Sequence, residues 1–233
     1  MDPLHALAVL GVVVGGLAQS ITGMGFALVA APVLIALLGP TQGVAVVVLL
    51  GTLATLAPLL GHWRAVRARD GVSLLIPSLI ATPVVGLLVS GADTAALAVG
   101  AGVGVLAGVT ALWRGLRWRR LVSVPGAIGT GISSAVLNVI GGVGGPPVGL
   151  YAANAGWEPR ATRATLQAIF LVQGVVTVVV VGLVMPEPVM VAAMIGGTLV
   201  GMRVAPLIPH EAARHAVLAV AAFGGIGLIV GNL

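Results

Sequence analysis

An all-α polytopic membrane protein is the fold class this sequence predicts, and three observations carry it. Of its 233 residues 59% are hydrophobic and 7% charged, whereas a soluble domain carries about 25% charged residues. The apolar residues fall in long runs, and a membrane-spanning helix needs about 20 of them. The few charges gather in short stretches between the runs. Such a chain has too little polar surface to face water.

Taken in order, the elements form two similar sets. Residues 4–38 are too long for one ordinary crossing and are broken by Gly23-Met24-Gly25-Phe26, which predicts a hairpin of pieces 4–20 and 24–38. Crossings follow at 44–60, 72–90 and 94–113, closing a first repeat over 1–113. The linker Arg114-Gly115-Leu116-Arg117-Trp118-Arg119-Arg120 separates it from a second repeat over 121–233. There the hairpin 121–155, with pieces 121–140 and 143–155, is broken by Gly141-Gly142-Val143-Gly144-Gly145-Pro146-Pro147, and crossings follow at 164–184, 189–207 and 213–230. A shift of 119 positions lays Gly23 on Gly142, Gly25 on Gly144 and Pro40 on Pro159. The piece 143–155 would reach roughly 20 Å, against a hydrocarbon core of about 30 Å. Each hairpin is therefore expected to be built of partial or tilted helices meeting near the midplane.

Orientation follows from arginine, because cytoplasmic loops carry the excess of basic residues. Lys is absent, and the clusters Arg64, Arg67, Arg69 and Arg114, Arg117, Arg119, Arg120 flank two crossings joined by Gly91-Ala92-Asp93. If each hairpin returns to the side it entered from, all 11 Arg fall on the cytoplasmic side. Asp2, Asp93, Glu187 and both termini fall outside. The parity also gives the two repeats opposite orientations, which is the inverted-repeat arrangement that places a transporter's site between its halves. Trp63, Trp113, Trp118 and Trp157 lie at cytoplasmic ends, as interfacial anchors do.

The composition excludes several functions. Without cysteine there are no disulfides and no thiolate or Cys-ligated metal chemistry. The His and acidic residues lack ligand spacing, so no metal and no cofactor is expected. The net charge of +5 lies in short loops, where topology and anionic lipid account for it and nucleic acid is not needed. Met1-Asp2-Pro3 lacks the basic start of a signal peptide, so residues 4–20 are expected to be retained. No Asp or Glu lies deep in a crossing, which argues against a carboxyl proton relay. An intramembrane enzyme would need a Ser–His pair, paired Asp or a metal cluster at depth, and none is visible.

The chemistry that remains is at the two breaks. An interrupted helix leaves backbone N–H groups that survive only when buried in protein or lining a polar cavity, and its restart points a positive dipole end at the gap. Neutral hydrogen-bonding side chains precede both breaks. The candidate substrate-binding residues are Gln19, Ser20, Thr22, Gly23, Gly25, Ser134, Asn138, Gly142, Gly144 and Gly145, with Gln173 from a later crossing. Donors without carboxylates suit a small anion. The alternative is that Gly and small polar residues only allow helices to pack closely. That packing reading is preferred for Gly196, Gly197, Gly224 and Gly225, and binding for the paired breaks. Thr52, Thr55, Thr165, Gln167 and Gln173 either line a pathway or bond neighbouring carbonyls. Arg160 and Arg163 set topology or attract an anion, and Arg203 snorkels or faces the cavity. His62, His210 and His215 are expected to be solvated at cytoplasmic ends, and His5 at the outer one.

At these residues the chain resembles the TauE/SafE family of sulfite exporters. The matching features are Thr22-Gly23-Met24-Gly25-Phe26 followed by Ala31-Pro32, and Gly141 to Pro147 preceding Tyr151. Gly-Met-Gly-Phe is less Gly-rich than the first copy in many members. The resemblance implies a permease of the bacterial inner membrane that exports a small sulfur-containing anion, sulfite or an organosulfonate. A channel-like anion conductance, or an uptake permease for another small anion, are the alternatives. The expected partners are the lipid bilayer and a small anionic substrate, with a homodimer left open. An anion leaving a cell with a negative interior gains about 2.3 kcal/mol per charge per 100 mV, so export could run downhill without a coupling ion.

Overall fold

The fold is that of a computed structural model, which describes residues 3–115 and 118–231, with only the backbone of His210, Glu211 and Ala213. The expectations for Asp2, for Arg117 and for the His210 side chain lie outside the described residues. The described chain is helical throughout, with no strand: α1 (Pro3–Thr22), α2 (Gly25–His62), α3 (Ala68–Val89), α4 (Thr94–Trp113), α5 (Val124–Gly141), α6 (Gly145–Asn154), α7 (Pro159–Val181), α8 (Pro188–Val204) and α9 (His210–Val230). Six helical stretches are long and apolar enough to cross a bilayer. Large apolar side chains point outward from them, Leu88 at 77% exposure and Val179 at 79%, which only a lipid surround makes favourable. The protein is an all-α, multi-pass membrane protein.

α2 is not a straight rod. Gly39 sits at φ 78 and ψ 166, outside the helical region and open to glycine almost alone, and Pro40 follows it. The chain reverses there. A Cβ on Gly43 would come within 2.6 Å of Ile35 Cα, and one on Gly51 within 3.3 Å of the Phe26 ring, so residues equally far from Gly39 lie side by side. The arms 25–38 and 40–62 are therefore antiparallel. They correspond to the expected pieces 24–38 and 44–60, separated by one residue instead of a loop.

Other boundaries move by a few residues for local reasons. α7 starts at Pro159 because proline suits the first helical turn, where its missing N–H costs nothing. α5 starts only at Val124, since Arg119–Val122 forms a 3-10 turn and the Ser123 hydroxyl caps the helix by accepting the Gly126 N–H at 3.3 Å. The 10 residues of α6 rise only about 15 Å, and the first arm of α2 is likewise short. α1 and α5, with 20 and 18 residues, are long and apolar enough to cross a bilayer.

Glycine sets how closely the helices pack. α1 lies on α8, where a Cβ on Gly16 or Gly201 would meet the partner's backbone at 2.8 Å, and α3 lies on α5 in the same manner through Gly131. The second arm of α2 packs on α7, with Gly174 making room for Thr52. α4 and α9 cross where Gly102 and Gly225 each face the other's carbonyl oxygen, and Pro32 sits on Gly224 much as Pro146 sits on Gly108. Gly197, Gly224 and Gly225 thus serve packing, while Gly196 faces open space.

The arginine-bearing helix ends lie together. The Arg67 N–H donates to Thr165 Oγ1 at 2.9 Å, the Trp118 N–H to Asn154 Oδ1 at 2.7 Å, and the Arg214 guanidinium to the Leu112 carbonyl. At the other end His5 faces Glu187 at 3.5 Å.

Candidate functional site

The first break is tied by one side chain. α1 ends because Gly23 turns left-handed, at φ 87, with its N–H donating to the Gln19 carbonyl at 2.8 Å. The Gln19 amide then bridges the gap: its Nε2 donates to the Gly23 carbonyl at 3.2 Å, and its Oε1 accepts the Phe26 N–H at 3.1 Å. Gln19 thus acts as the cap of α2 from the preceding helix, and Phe26 no longer needs an outside acceptor. Thr22 bonds back to Ala18, and its hydroxyl accepts from the Met24 N–H at 3.4 Å.

The second break has the same logic with different parts. Gly142 is left-handed, at φ 69, and its N–H donates to the Asn138 carbonyl at 2.9 Å. The Ser134 hydroxyl donates to the Gly144 carbonyl at 2.8 Å, and Asn138 Nδ2 donates to Thr177 Oγ1 at 2.9 Å. α6 restarts at Gly145, and Pro146 and Pro147 follow it. Two of its first N–H positions are therefore empty, and the donors offered at the break narrow to Gly144 and Gly145.

The breaks meet. A Cβ on Gly145 would lie 3.0 Å from Met24 Cβ. Between them is a cavity of about 50 Å³ whose wall takes Gln19, Met24 and Phe26 from the first break, Asn138, Gly142, Val143, Gly144 and Gly145 from the second, and Val47, Val48, Thr52 and Phe170 from the helices behind. Among the described residues no acidic, basic or histidine side chain lines it. A water fills about 10–15 Å³ on this scale, so the space suits roughly three or four waters or one compact ion. The polar side chains on its wall are Gln19, Thr52 and Asn138, and the positive end of α6 begins beside it at Gly145.

Of the expected binding residues, Gln19, Asn138, Gly142, Gly144 and Gly145 line this cavity. Ser20, Thr22, Gly23, Gly25, Ser134 and Gln173 are not on its wall and build its frame. The Ser20 hydroxyl lies 3.1 Å from the Thr198 carbonyl, Gly25 packs on Ala18, and Gly23 packs on Arg163 and Leu166. Gln173 is fully buried behind Ser134, whose hydroxyl lies 3.2 Å from Gln173 Oε1, and its Nε2 has no partner among the described residues. Leaving such a group unpaired costs about 1–3 kcal/mol.

The remaining polar residues divide in the same way. Thr52 lines the cavity while bonding to the Val48 carbonyl, and Thr55 bonds to the Thr52 carbonyl. Thr165 holds the Arg67 backbone. Arg163 reaches across to the Ile21 carbonyl at 3.4 Å and so caps the end of α1, a role beside the two expected for it. Arg160 and Arg203 are exposed. His62 contacts the Pro58 carbonyl at 3.0 Å, and His215 packs edge-on against Trp113. Sequence reasoning passed over Met24, Val143, Phe26 and Phe170; the shift of 119 could have paired Met24 with Val143.

Helix breaks that meet inside an apolar membrane bundle are a feature of membrane transport proteins. The family model described as Sulfite exporter TauE/SafE matches residues 7–228, and the chain belongs to that family of membrane transport proteins. No curated protein and no solved structure matches the chain.

Proposed function

We propose that this protein is an inner-membrane permease that exports sulfite through the cavity between its two breaks, with its halves related as inverted repeats. The observation that carries the reading is the wall of that cavity: both breaks contribute to it, and its donors are neutral. A donor-lined site without carboxylates favours an anion, and the absence of a fixed cation lets the anion leave again. The volume favours a four-atom oxyanion over a longer organosulfonate, which would have to enlarge the space.

The packing supports the repeat. Exchange the halves and the α1–α8 contact becomes α5–α3, and the contact of α9 with the first arm of α2 becomes that of α4 with α6. The contacts of α2 with α7 and of α4 with α9 map onto themselves. The same exchange pairs Gln19 with Asn138 and Met24 with Val143, and all four line the cavity. The arginine-bearing end is the cytoplasmic one, and both termini are outside.

Proteoliposomes loaded with labelled sulfite test this. Efflux is expected, with unlabelled sulfite competing better than sulfate, thiosulfate, taurine or sulfoacetate. Gly144→Val should abolish efflux with insertion intact, because even a Cβ there lies 3.0 Å from Ser134 and Asn138. Normal efflux in that variant would refute the site, and stronger competition by sulfoacetate would refute the substrate.

A further inference from the structure

A groove of about 660 Å³ lies between α4, α5 and α6, on the lipid-facing side of the bundle. Its floor is low because the residues there have little or no side chain: Gly104, Ala107 and Ala111 on α4, Gly126 and Gly129 on α5. Gly129 is exposed and has nothing within 4 Å of a would-be Cβ, so the groove is open on the side where Ile128 and Ile132 face lipid. It is shut at its inner end, where Leu137 packs on Gly104. Gly104 is in the middle of the 20 residues of α4. The groove therefore runs for half a crossing, about 15 Å at 1.5 Å per residue, which is also roughly half the hydrocarbon core. It serves one leaflet.

The open end is chemically unlike the rest. Trp118, Arg120 and Ser123 line it. Arg120 is exposed, and its guanidinium has no hydrogen bond or ion pair among the described residues; nor have those of Arg114 and Arg119 nearby in the chain. Among the described residues no acidic side chain lines the groove. The Trp118 ring, 61% exposed, is placed as an interfacial anchor. Deeper in, the wall is apolar apart from Thr130 and Ser133, and the Thr130 hydroxyl already donates to the Gly126 carbonyl at 2.7 Å. Free guanidinium groups at the head of an apolar furrow match a molecule with a phosphate above and a slim hydrocarbon tail below. A helix from a second copy fits less well. It is about 10–12 Å across and would pass through both leaflets, whereas the furrow ends at the middle of α4.

We propose that this groove is a binding site for a phospholipid with an anionic headgroup, drawn from the leaflet at the arginine-bearing end. Its phosphate sits on Arg120 and one acyl chain lies between α4 and α5. Pro146 and Pro147 are on the wall, so the seated tail packs behind the second break and covers the flank of the short α6. The site stands independently of what the permease carries.

Native mass spectrometry of the full chain tests this, with the protein released from micelles that hold equal amounts of phosphatidylglycerol and phosphatidylcholine of the same acyl chains. The unsubstituted protein is expected to retain several-fold more phosphatidylglycerol. Arg120→Gln should bring the two lipids level. Gly129→Leu fills the groove where the space is open, and should cut phosphatidylglycerol retention several-fold. Arg203→Gln removes an exposed charge on α8 and should change nothing. The thermal midpoint should rise with added phosphatidylglycerol in the unsubstituted protein and in Arg203→Gln, but not in the two groove variants. Equal retention of both lipids by the unsubstituted protein, equal losses from Arg203→Gln and Arg120→Gln, or full retention in Gly129→Leu would overturn the proposal. So would a dimer mass that Gly129→Leu abolishes, because a second copy would then cover the groove.

Discussion

At the residue scale, the side chains that carry polar groups to the cavity are also those that hold its frame. Gln19 spends both ends of its amide on the first break, yet an NH2 group carries two hydrogens and only one is used. Asn138 is in the same position, with Thr177 taking one hydrogen. Thr55 is fully buried, and its hydroxyl is already satisfied at 2.6 Å by the Thr52 carbonyl. Asn138→Ala should therefore weaken sulfite affinity, by about tenfold for the loss of one charge-assisted hydrogen bond, whereas Thr55→Ala should leave it nearly unchanged. Isotherms from equilibrium binding in detergent would show the difference. Equal losses would remove Asn138 from the site.

At the element scale, the breaks follow from where glycine stands relative to its neighbours. Gly39 has nothing within 4 Å of a would-be Cβ, so Gly39→Ala costs only backbone strain, about 1–3 kcal/mol. Its thermal midpoint in detergent should fall while sulfite affinity stays as it was; a lost site with unchanged stability would show that the reversal at Gly39 is not held by that conformation. Much at this scale was legible in the sequence. The all-helical fold and the two helix interruptions follow from apolar run length and from Gly and Pro, because in a bilayer little else ends a helix cheaply. What stayed hidden depends on partners. The shared cavity needs Met24 to meet Gly145, and a lone Met between two glycines carries no sign of what it will touch. Ser134 and Gln173 read as binding residues because their side chains can bind, and only their bond to each other and to Gly144 shows them turned away.

At the scale of the whole molecule, the charge pattern has an energetic meaning. Among the described residues no carboxylate or basic group lines the central cavity, so on the proposed permease reading an anion there meets no fixed countercharge and each turnover would move net charge. Vesicles clamped with a potassium gradient and an ionophore should show efflux that rises with an inside-negative potential and ignores an imposed proton gradient; dependence on the proton gradient at zero potential would count against it. The seam between α4 and α9 adds a mechanical point. A Cβ on Gly102 would lie 2.8 Å from the Gly225 carbonyl oxygen, and one on Gly225 3.2 Å from that of Gly102. Leu106, Leu228 and Ile229 close around this contact, so a side chain at either glycine would force the two helices apart. The seam between α4 and α9 is therefore held at a spacing that only glycine permits, and any bulk added there would be felt along both helices.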